Sequence, residues 1–192
     1  MQKVLKLKNL SKSFGDKVVL SGFSYDFPKS GVVCIKGASG CGKTTLLRII
    51  SGLETADSGE VKCGGVLSYL FQEDRLLNWL TAIENVSCVM SGKSSERREK
   101  AAQLLSLVGL AGNENEQIGH LSGGMKRRVA FARALATNPD ILLLDEPFNG
   151  LDDLTRSVLS KLVLQFSENH LVLLVTHDSE DIETLANSVI AL

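Results

Sequence analysis

Residues 37–45, which read GASGCGKTT, place glycines, a lysine and two threonines at the spacing of a phosphate-binding loop. They fit the pattern G-x-x-x-x-G-K-[ST], in which the glycines let the backbone curl so that successive N–H groups face a phosphate. Lys43 would reach the β- and γ-phosphates of a nucleotide, and the Thr44 hydroxyl would ligate Mg²⁺. The alternative is a glycine-rich strand-to-helix turn. The apolar strand before the loop and the helical segment after it favour phosphate binding.

Two acidic residues follow another apolar strand. The segment ILLLDEP places Asp145 and Glu146 directly after four apolar residues. Ligands of α/β proteins bind at the carboxyl ends of the strands, so both carboxylates would lie near the phosphate loop. Asp145 suits a water-mediated contact with Mg²⁺, and Glu146 could polarise an attacking water as a general base. Taken alone, such a pair is commonly a turn or a helix N-cap.

A histidine, His177, follows the next apolar strand in the segment VTHD. A single histidine after a strand is more often structural than catalytic. The strand-end rule nevertheless places it near the same nucleotide.

The elements that must position these residues alternate between strands and helices. Continuous apolar strands followed by helices predict a parallel sheet that is covered on both faces. Residues 4–7 and 18–27 read instead as strands of an N-terminal antiparallel layer. Residues 81–119 have helical periodicity and predict an inserted helical segment. The expected fold is therefore α/β, with a P-loop NTPase-like core, an N-terminal antiparallel β layer and a helical subdomain.

Composition excludes several classes of protein. The formal net charge is −1, so there is no overall positive charge of the kind that binds nucleic acid. The cysteines (Cys34, Cys41, Cys63 and Cys88) have neither disulfide-framework nor zinc spacing and read as reduced thiols. The N-terminal segment MQKVLKLKNL does not resemble a signal peptide, and no apolar run approaches a membrane span. We expect a protein that reaches a membrane only through a partner.

The segment HLSGGMKRRVAFARAL, residues 120–135, predicts a helix with an unusual start. Ser122 is a good N-cap, but Gly123 and Gly124 in the first turn each cost up to about 1 kcal/mol relative to alanine. No acidic residue precedes the basic residues 126–128, although the positive end of the helix dipole favours an anion.

Together these motifs resemble the nucleotide-binding subunit of an ABC transporter. The resemblance covers nearly the whole chain and rests on GASGCGKTT, YLFQEDRLLNWLTAIENV, LSGGM, ILLLDEP, NGLDD and VTHD. In that family these are the Walker A loop, Q-loop, signature, Walker B strand, D-loop and switch histidine. The segment FQEDRLLNWLTAIENV and the methionine of LSGGM are most similar to importers of the nitrate, sulfonate and taurine type.

The resemblance implies an ATPase with ATP and Mg²⁺ as cofactors. The expected catalytic residues are Glu146, His177, Lys43 and Gln72, with His177 at the γ-phosphate. The expected Mg²⁺ residues are Thr44, Gln72 and Asp145. The expected ATP-binding residues are Phe14, Gly37, Ala38, Ser39, Gly40, Cys41, Gly42, Lys43, Thr44 and Thr45. Phe14 would stack on adenine, and its alternative is a core or sheet-surface aromatic.

The resemblance also implies that two subunits pair head to tail. Ser122, Gly123, Gly124 and Asp152 would then contact the partner's ATP, and its γ-phosphate would supply the anion that the helix lacks. Residues 126–128 would either add to this positive field or be solvated or paired within the chain. The pair is expected to be a homodimer, although a heterodimer stays open.

Further partners follow from the same family. Residues 73–80, from Glu73 to Leu80, would dock on transmembrane permease subunits, with a separate solute-binding protein and no nucleic acid. Trp79 would lie in this docking groove, and its alternative is a core aromatic. The chain would be cytoplasmic, on the inner face of the cell membrane.

The chain is expected to be one domain, residues 1–192. Residues 1–80 and 137–192 would form the catalytic core with the β layer, and approximately residues 81–136 the helical subdomain with the signature. Two departures from the family pattern are Met125 where glutamine is usual and Asn149-Gly150 where Ser-Ala is common. The chain also ends soon after His177, so it is either a minimal subunit or lacks a C-terminal part.

Three functions remain open at this stage. The first is an ATPase that powers transport, with import of a small anion or an organosulfur solute favoured over export. The second is a soluble ABC ATPase that acts on nucleic acid or ribosomes. The third is a P-loop kinase or GTPase, which would need neither LSGGM nor VTHD.

Overall fold

The computed structural model describes residues 4–192. Residues 1–3 lie outside the described residues. They are the start of the segment MQKVLKLKNL and of the predicted catalytic core. Within residues 4–192, none of the helices combines the length and the apolar character needed to span a membrane.

Two sheets organise the described chain. An antiparallel sheet has the order β2-β1-β4 and a parallel sheet has the order β5-β6-β7-β3-β8. The strands are β1 (Val4–Phe14), β2 (Lys17–Asp26), β3 (Gly31–Lys36), β4 (Ser58–Gly64), β5 (Leu67–Leu70), β6 (Ile141–Asp145), β7 (Leu171–Val175) and β8 (Ser188–Ala191). The predicted parallel sheet and antiparallel layer are both confirmed.

The strand sequences explain which sheet they join. In β1, Leu5 and Leu7 are buried between exposed residues, as in a sheet with one face covered. Strands β6 and β7 are buried along their whole length because helices cover both faces of the parallel sheet.

Six α-helices and a short 3₁₀ helix (Ile118–His120) connect and cover these strands within residues 4–192. The α-helices are α1 (Lys43–Ile50), α2 (Ala82–Ser87), α3 (Ser94–Leu107), α4 (Gly123–Ala136), α5 (Asp153–Ser167) and α6 (Ser179–Leu185). One core cluster joins a face of the parallel sheet to α2, α3, α4 and α5. The other joins the opposite face to α1 and the antiparallel sheet.

The helical segment is built on local signals that the sequence contains. Thr81 and Glu84 form a reciprocal capping box at the start of α2. Ala101 and Leu105 of α3 and its C-cap Val108 are buried and pack into the core. The division of the chain into a catalytic core and a helical subdomain stays a prediction.

Candidate functional site

A cavity of about 380 Å³ lies at the carboxyl edge of the parallel sheet, beyond β3 and β6. This is the position at which α/β proteins bind ligands. Its lining residues are Phe14, Lys17, Val19, Ser39, Gly40, Gly42, Lys43, Thr44, Thr45, Gln72, Asp145, Glu146 and Val175. The structure therefore brings most of the predicted ATP, metal and catalytic residues to one place.

The loop between β3 and α1 is shaped by its glycines. Gly40 and Gly42 have φ of +74° and +112°, in the left-handed region that side chains disfavour. A Cβ on Gly42 would also lie 2.5 Å from Val19 Cγ1. The close approach of β2 therefore requires glycine at this position.

The first turn of α1 offers N–H groups to an anion. Gly42 provides the N-cap without a side-chain hydrogen bond, and the first turn contains no acidic residue. Helix termini leave such N–H groups without intrahelical partners, and the dipole there favours negative charge. The segment can therefore bind a phosphate group.

Lys43 is held at the centre of this loop. Its Nζ donates to the carbonyl oxygens of Gly37 at 2.8 Å and Ala38 at 3.0 Å. Gly37, Ala38 and Cys41 do not line the cavity. Gly37 packs closely against Cys41, since a Cβ on Gly37 would lie 2.6 Å from the Cys41 Sγ.

Asp145 provides a buried carboxylate beside Thr44. Burial raises its pKa above the ordinary value of 3.8, while hydrogen bonds from Thr44 and Tyr69 act in the opposite direction. The Tyr69 hydroxyl donates to Asp145 Oδ2 at 3.0 Å. A hydroxyl and a carboxylate oxygen in contact are hard ligands that suit Mg²⁺. Within residues 4–192, no group of three or more His, Cys, Asp and Glu side chains is arranged to hold a metal ion.

Glu146 and His177 form a pair at the edge of the cavity. The His177 Nδ1 lies 3.0 Å from both carboxylate oxygens of Glu146. This hydrogen bond, followed by the charge of Glu146, raises the pKa of His177 above 6.5. Glu146 itself has φ of +49°, which is uncommon for a residue other than glycine. His177 does not line the main cavity but a smaller adjoining one of about 170 Å³.

Phe14 and Gln72 complete the predicted site. Phe14 is 50% exposed and lines the cavity, so it is not a core aromatic. The ammonium of Lys12 lies 5.0 Å from its ring centroid. Gln72 is exposed, follows the end of β5 and also lines the cavity.

The four residues predicted to act in trans lie outside the cavity lining. The Ser122 hydroxyl accepts a hydrogen bond from the Met125 N–H at 3.2 Å, which confirms Ser122 as the N-cap of α4. Gly123 is exposed, whereas Gly124 is half-buried. A Cβ added to Gly124 would lie 3.7 Å from Leu151 Cδ2. The signature therefore packs against the segment that precedes Asp152.

Residues 73–80 lie beside a groove of about 310 Å³ that Phe71, Arg75, Leu77 and Arg133 help to line. Trp79 is 76% exposed, so its alternative as a core aromatic is wrong. Because the Trp79 ring is exposed, a partner protein could contact it, as the predicted docking role requires.

Sequence reasoning missed several residues. Lys17 and Val19 line the cavity but belong to none of the motifs, whereas Val175 is the first residue of VTHD and was not singled out there. Arg127 is buried at 4% exposure, and its guanidinium bonds to backbone carbonyls. The basic residues 126–128 were noticed in the sequence. Their consecutive spacing, however, does not show that Arg127 is the one whose side chain is buried.

Comparison with known proteins identifies the class. The fold is that of a P-loop NTPase, and the family model described as ABC transporter matches residues 20–149. The chain belongs to the ABC transporter family. It is an ATP-binding subunit, and its activity is ATP hydrolysis.

Individual relatives make the match more specific. The chain is 43% identical to the aliphatic sulfonates import ATP-binding protein SsuB 1 of Shouchella clausii, over 98% of this chain and 76% of the relative. It is 39% identical to the protein of the same name from Mesorhizobium japonicum, over 100% of this chain and 76% of the relative. The dimeric post-hydrolysis structure of the ATP-binding cassette MJ0796 with ADP and Pi superposes with a TM-score of 0.90 at 31% identity, covering 98% of this chain and 94% of the other.

Proposed function

We propose that this chain powers the import of aliphatic sulfonates by hydrolysing ATP within an ABC importer. The observation that carries the proposal is its similarity, 43% identity over 98% of the chain, to a protein named for aliphatic sulfonate import. The sequence pattern favours an organosulfur or small anionic solute independently of that name. The permease and a separate solute-binding protein would select the solute.

The proposed site holds ATP with Mg²⁺. Residues 37–45 bind the phosphates, Phe14 stacks on adenine, and Thr44, Gln72 and Asp145 contact the metal. Glu146 orients the attacking water, and His177 contacts the γ-phosphate. Mg²⁺ would neutralise phosphate charge, and the chain's own side chains would supply positioning and electrostatic stabilisation.

The proposed working unit is a head-to-tail homodimer. The chain has one phosphate loop and one LSGGM segment, and the residues near Ser122 lie outside its own cavity lining. In the dimer, Ser122, Gly123, Gly124 and Asp152 would close the partner's ATP site. The γ-phosphate would satisfy the N-terminus of α4.

The proposed link to the membrane is the segment from Glu73 to Leu80. Its exposed Trp79 would enter a permease surface and so hold the chain on the cytoplasmic face of the membrane. Residues 1–80 and 137–192 would act as the catalytic core with the β layer, and approximately residues 81–136 as the helical subdomain that carries the signature.

Co-purification tests this proposal. A tagged chain would be isolated from detergent-solubilised membranes of its own organism, and its partners identified by mass spectrometry. We expect a stoichiometric complex with membrane-spanning subunits. In proteoliposomes that contain the solute-binding protein, an alkanesulfonate should raise ATP turnover and enter the vesicles.

The control is a chain with Trp79→Ser, which should lose the permease while retaining ATP binding. Recovery of the chain with ribosomes or nucleic acid, and without a membrane protein, would contradict the proposal and support the soluble ATPase. Uptake of other solutes without alkanesulfonates would contradict the substrate class alone.

A further inference from the structure

Arg127 is a cation of α4 that is buried against the ends of β5 and β6. Its side chain is 5% exposed. Its Nη1 lies 3.1 Å from Oδ1 of Asp74, whose side chain is 29% exposed. Long charged side chains are rarely buried unless their donors are paired. A guanidinium has five N–H donors in a rigid fork, so it can bind several acceptors in one plane.

One side of this fork binds the strand end that carries Glu146. Arg127 donates to the carbonyl oxygens of Asp145 at 2.9 Å, Glu146 at 2.7 Å and Pro147 at 3.0 Å. The three carbonyls belong to consecutive residues, and the chain turns at Glu146 because of its φ of +49°. Such a conformation persists only where the surrounding structure constrains it.

The other side binds the segment that carries Gln72. Arg127 Nη1 donates to the carbonyl oxygens of Phe71 at 2.6 Å and Gln72 at 3.2 Å. Arg133, two turns further along α4, donates to the carbonyl oxygens of Asp74 at 2.7 Å and Arg75 at 2.9 Å. Helix α4 thus binds the backbone of both segments.

We propose that Arg127 is a positioning residue for ATP hydrolysis, because it fixes the backbone of Glu146 and the backbone of Gln72 relative to each other. The proposal rests on the proposed roles of those two residues. Arg127 does not line the cavity, so it acts through the carbonyls and not on the nucleotide. It belongs to the helix that starts at Ser122, and the position of α4 therefore determines the geometry of Glu146 and Gln72.

The test compares Arg127→Gln and Arg127→Lys with the wild-type chain. Each purified chain would be assayed for kcat and KM of ATP hydrolysis, for the Kd of a fluorescent ATP analogue, and for thermal unfolding. We expect Arg127→Gln to lower kcat by about 10- to 100-fold, since a displacement of about 1 Å can cost about 100-fold. KM and Kd should change less than threefold, because the phosphate loop is untouched. Arg127→Lys should give an intermediate kcat.

The matched control is Arg98→Gln, which removes an exposed guanidinium of α3 that donates to the exposed Asn115 side chain. It should retain the wild-type kcat. Wild-type kcat in folded Arg127→Gln would overturn the proposal, as would a fall in kcat matched by an equal loss of ATP affinity. If Arg127→Gln does not fold, the decision falls to Arg127→Lys, for which an unchanged kcat would overturn it.

The proposed site roles are tested separately in the same assays by Lys43→Ala and Glu146→Gln. If Lys43→Ala bound ATP normally or Glu146→Gln hydrolysed it normally, those roles would be wrong. If both behave as expected and Arg127→Gln is normal, only the inference about Arg127 is wrong.

Discussion

Glu146 is constrained through three different groups. Its N–H donates to the Val175 carbonyl at 2.9 Å, and its carbonyl accepts from Arg127 at 2.7 Å. Its carboxylate is bonded to His177, whose side chain is 69% exposed. The backbone is therefore fixed by buried neighbours, whereas the carboxylate can be released by rotation of one exposed ring.

For single residues, we predict how the pKa of His177 depends on Glu146. In the wild-type chain its pKa should lie above 6.5, because the first cause of its raised value is the hydrogen bond to Glu146. The variant Glu146→Gln removes the negative charge and should lower the pKa of His177. NMR titration of the imidazole signals measures both values. An unchanged His177 pKa in the variant would contradict the observed pairing.

The Glu146–His177 pair also makes the free energy of unfolding depend on pH. A histidine with a raised pKa in the folded state binds more protons there than in the unfolded state. Its contribution is complete below the unfolded pKa near 6.5 and is lost as the pH rises through the higher folded pKa. Since His177 is mostly exposed, solvent screening keeps the effect small.

The phosphate loop and α1 form an element whose geometry depends on packing against β2. Gly42 combines φ of +112° with a Cβ position that lies 2.5 Å from Val19. Any side chain would therefore strain the backbone and displace β2 from the start of α1.

We predict that Gly42→Ala destabilises the chain more than Gly52→Ala. Gly52 also has a positive φ, +73°, but its Cβ position has no atom within 4 Å. Gly52→Ala should lower the free energy of unfolding by about 1 kcal/mol, because alanine disfavours the left-handed conformation. Gly42→Ala should cost about 1–3 kcal/mol more because of overpacking. Urea unfolding measures both, and equal losses would show that contact with Val19 does not matter.

Local patterns predicted most of these elements. Apolar runs identified β6 and β7 because a strand buried on both faces has a continuous apolar sequence. The spacing of glycines and Lys43 identified the phosphate loop because its chemistry is contained in one segment. The role of Arg127 could not be predicted, since its acceptors come from residues 71–74 and 145–147 and meet only in the folded chain. The left-handed backbone of Glu146 likewise has no signature in its residue type.

At the scale of the whole molecule, the cavity and the signature occupy different surfaces. Phe14, Lys43 and Glu146 line the cavity, whereas Ser122 and Gly123 lie exposed elsewhere. The N-terminus of α4 has no acidic residue in its first turn. Under the proposed function, each subunit would carry two partial sites, and head-to-tail pairing would complete both.

Sedimentation of the Glu146→Gln variant tests this central claim most directly. Hydrolysis should be blocked in this variant, so saturating ATP with Mg²⁺ should convert it from a monomer to a dimer. Adding Ser122→Arg should keep the chain monomeric while ATP still binds, because the arginine would block only the partner's γ-phosphate. A monomer at saturating ATP in Glu146→Gln, or an undisturbed dimer in the double variant, would contradict the account.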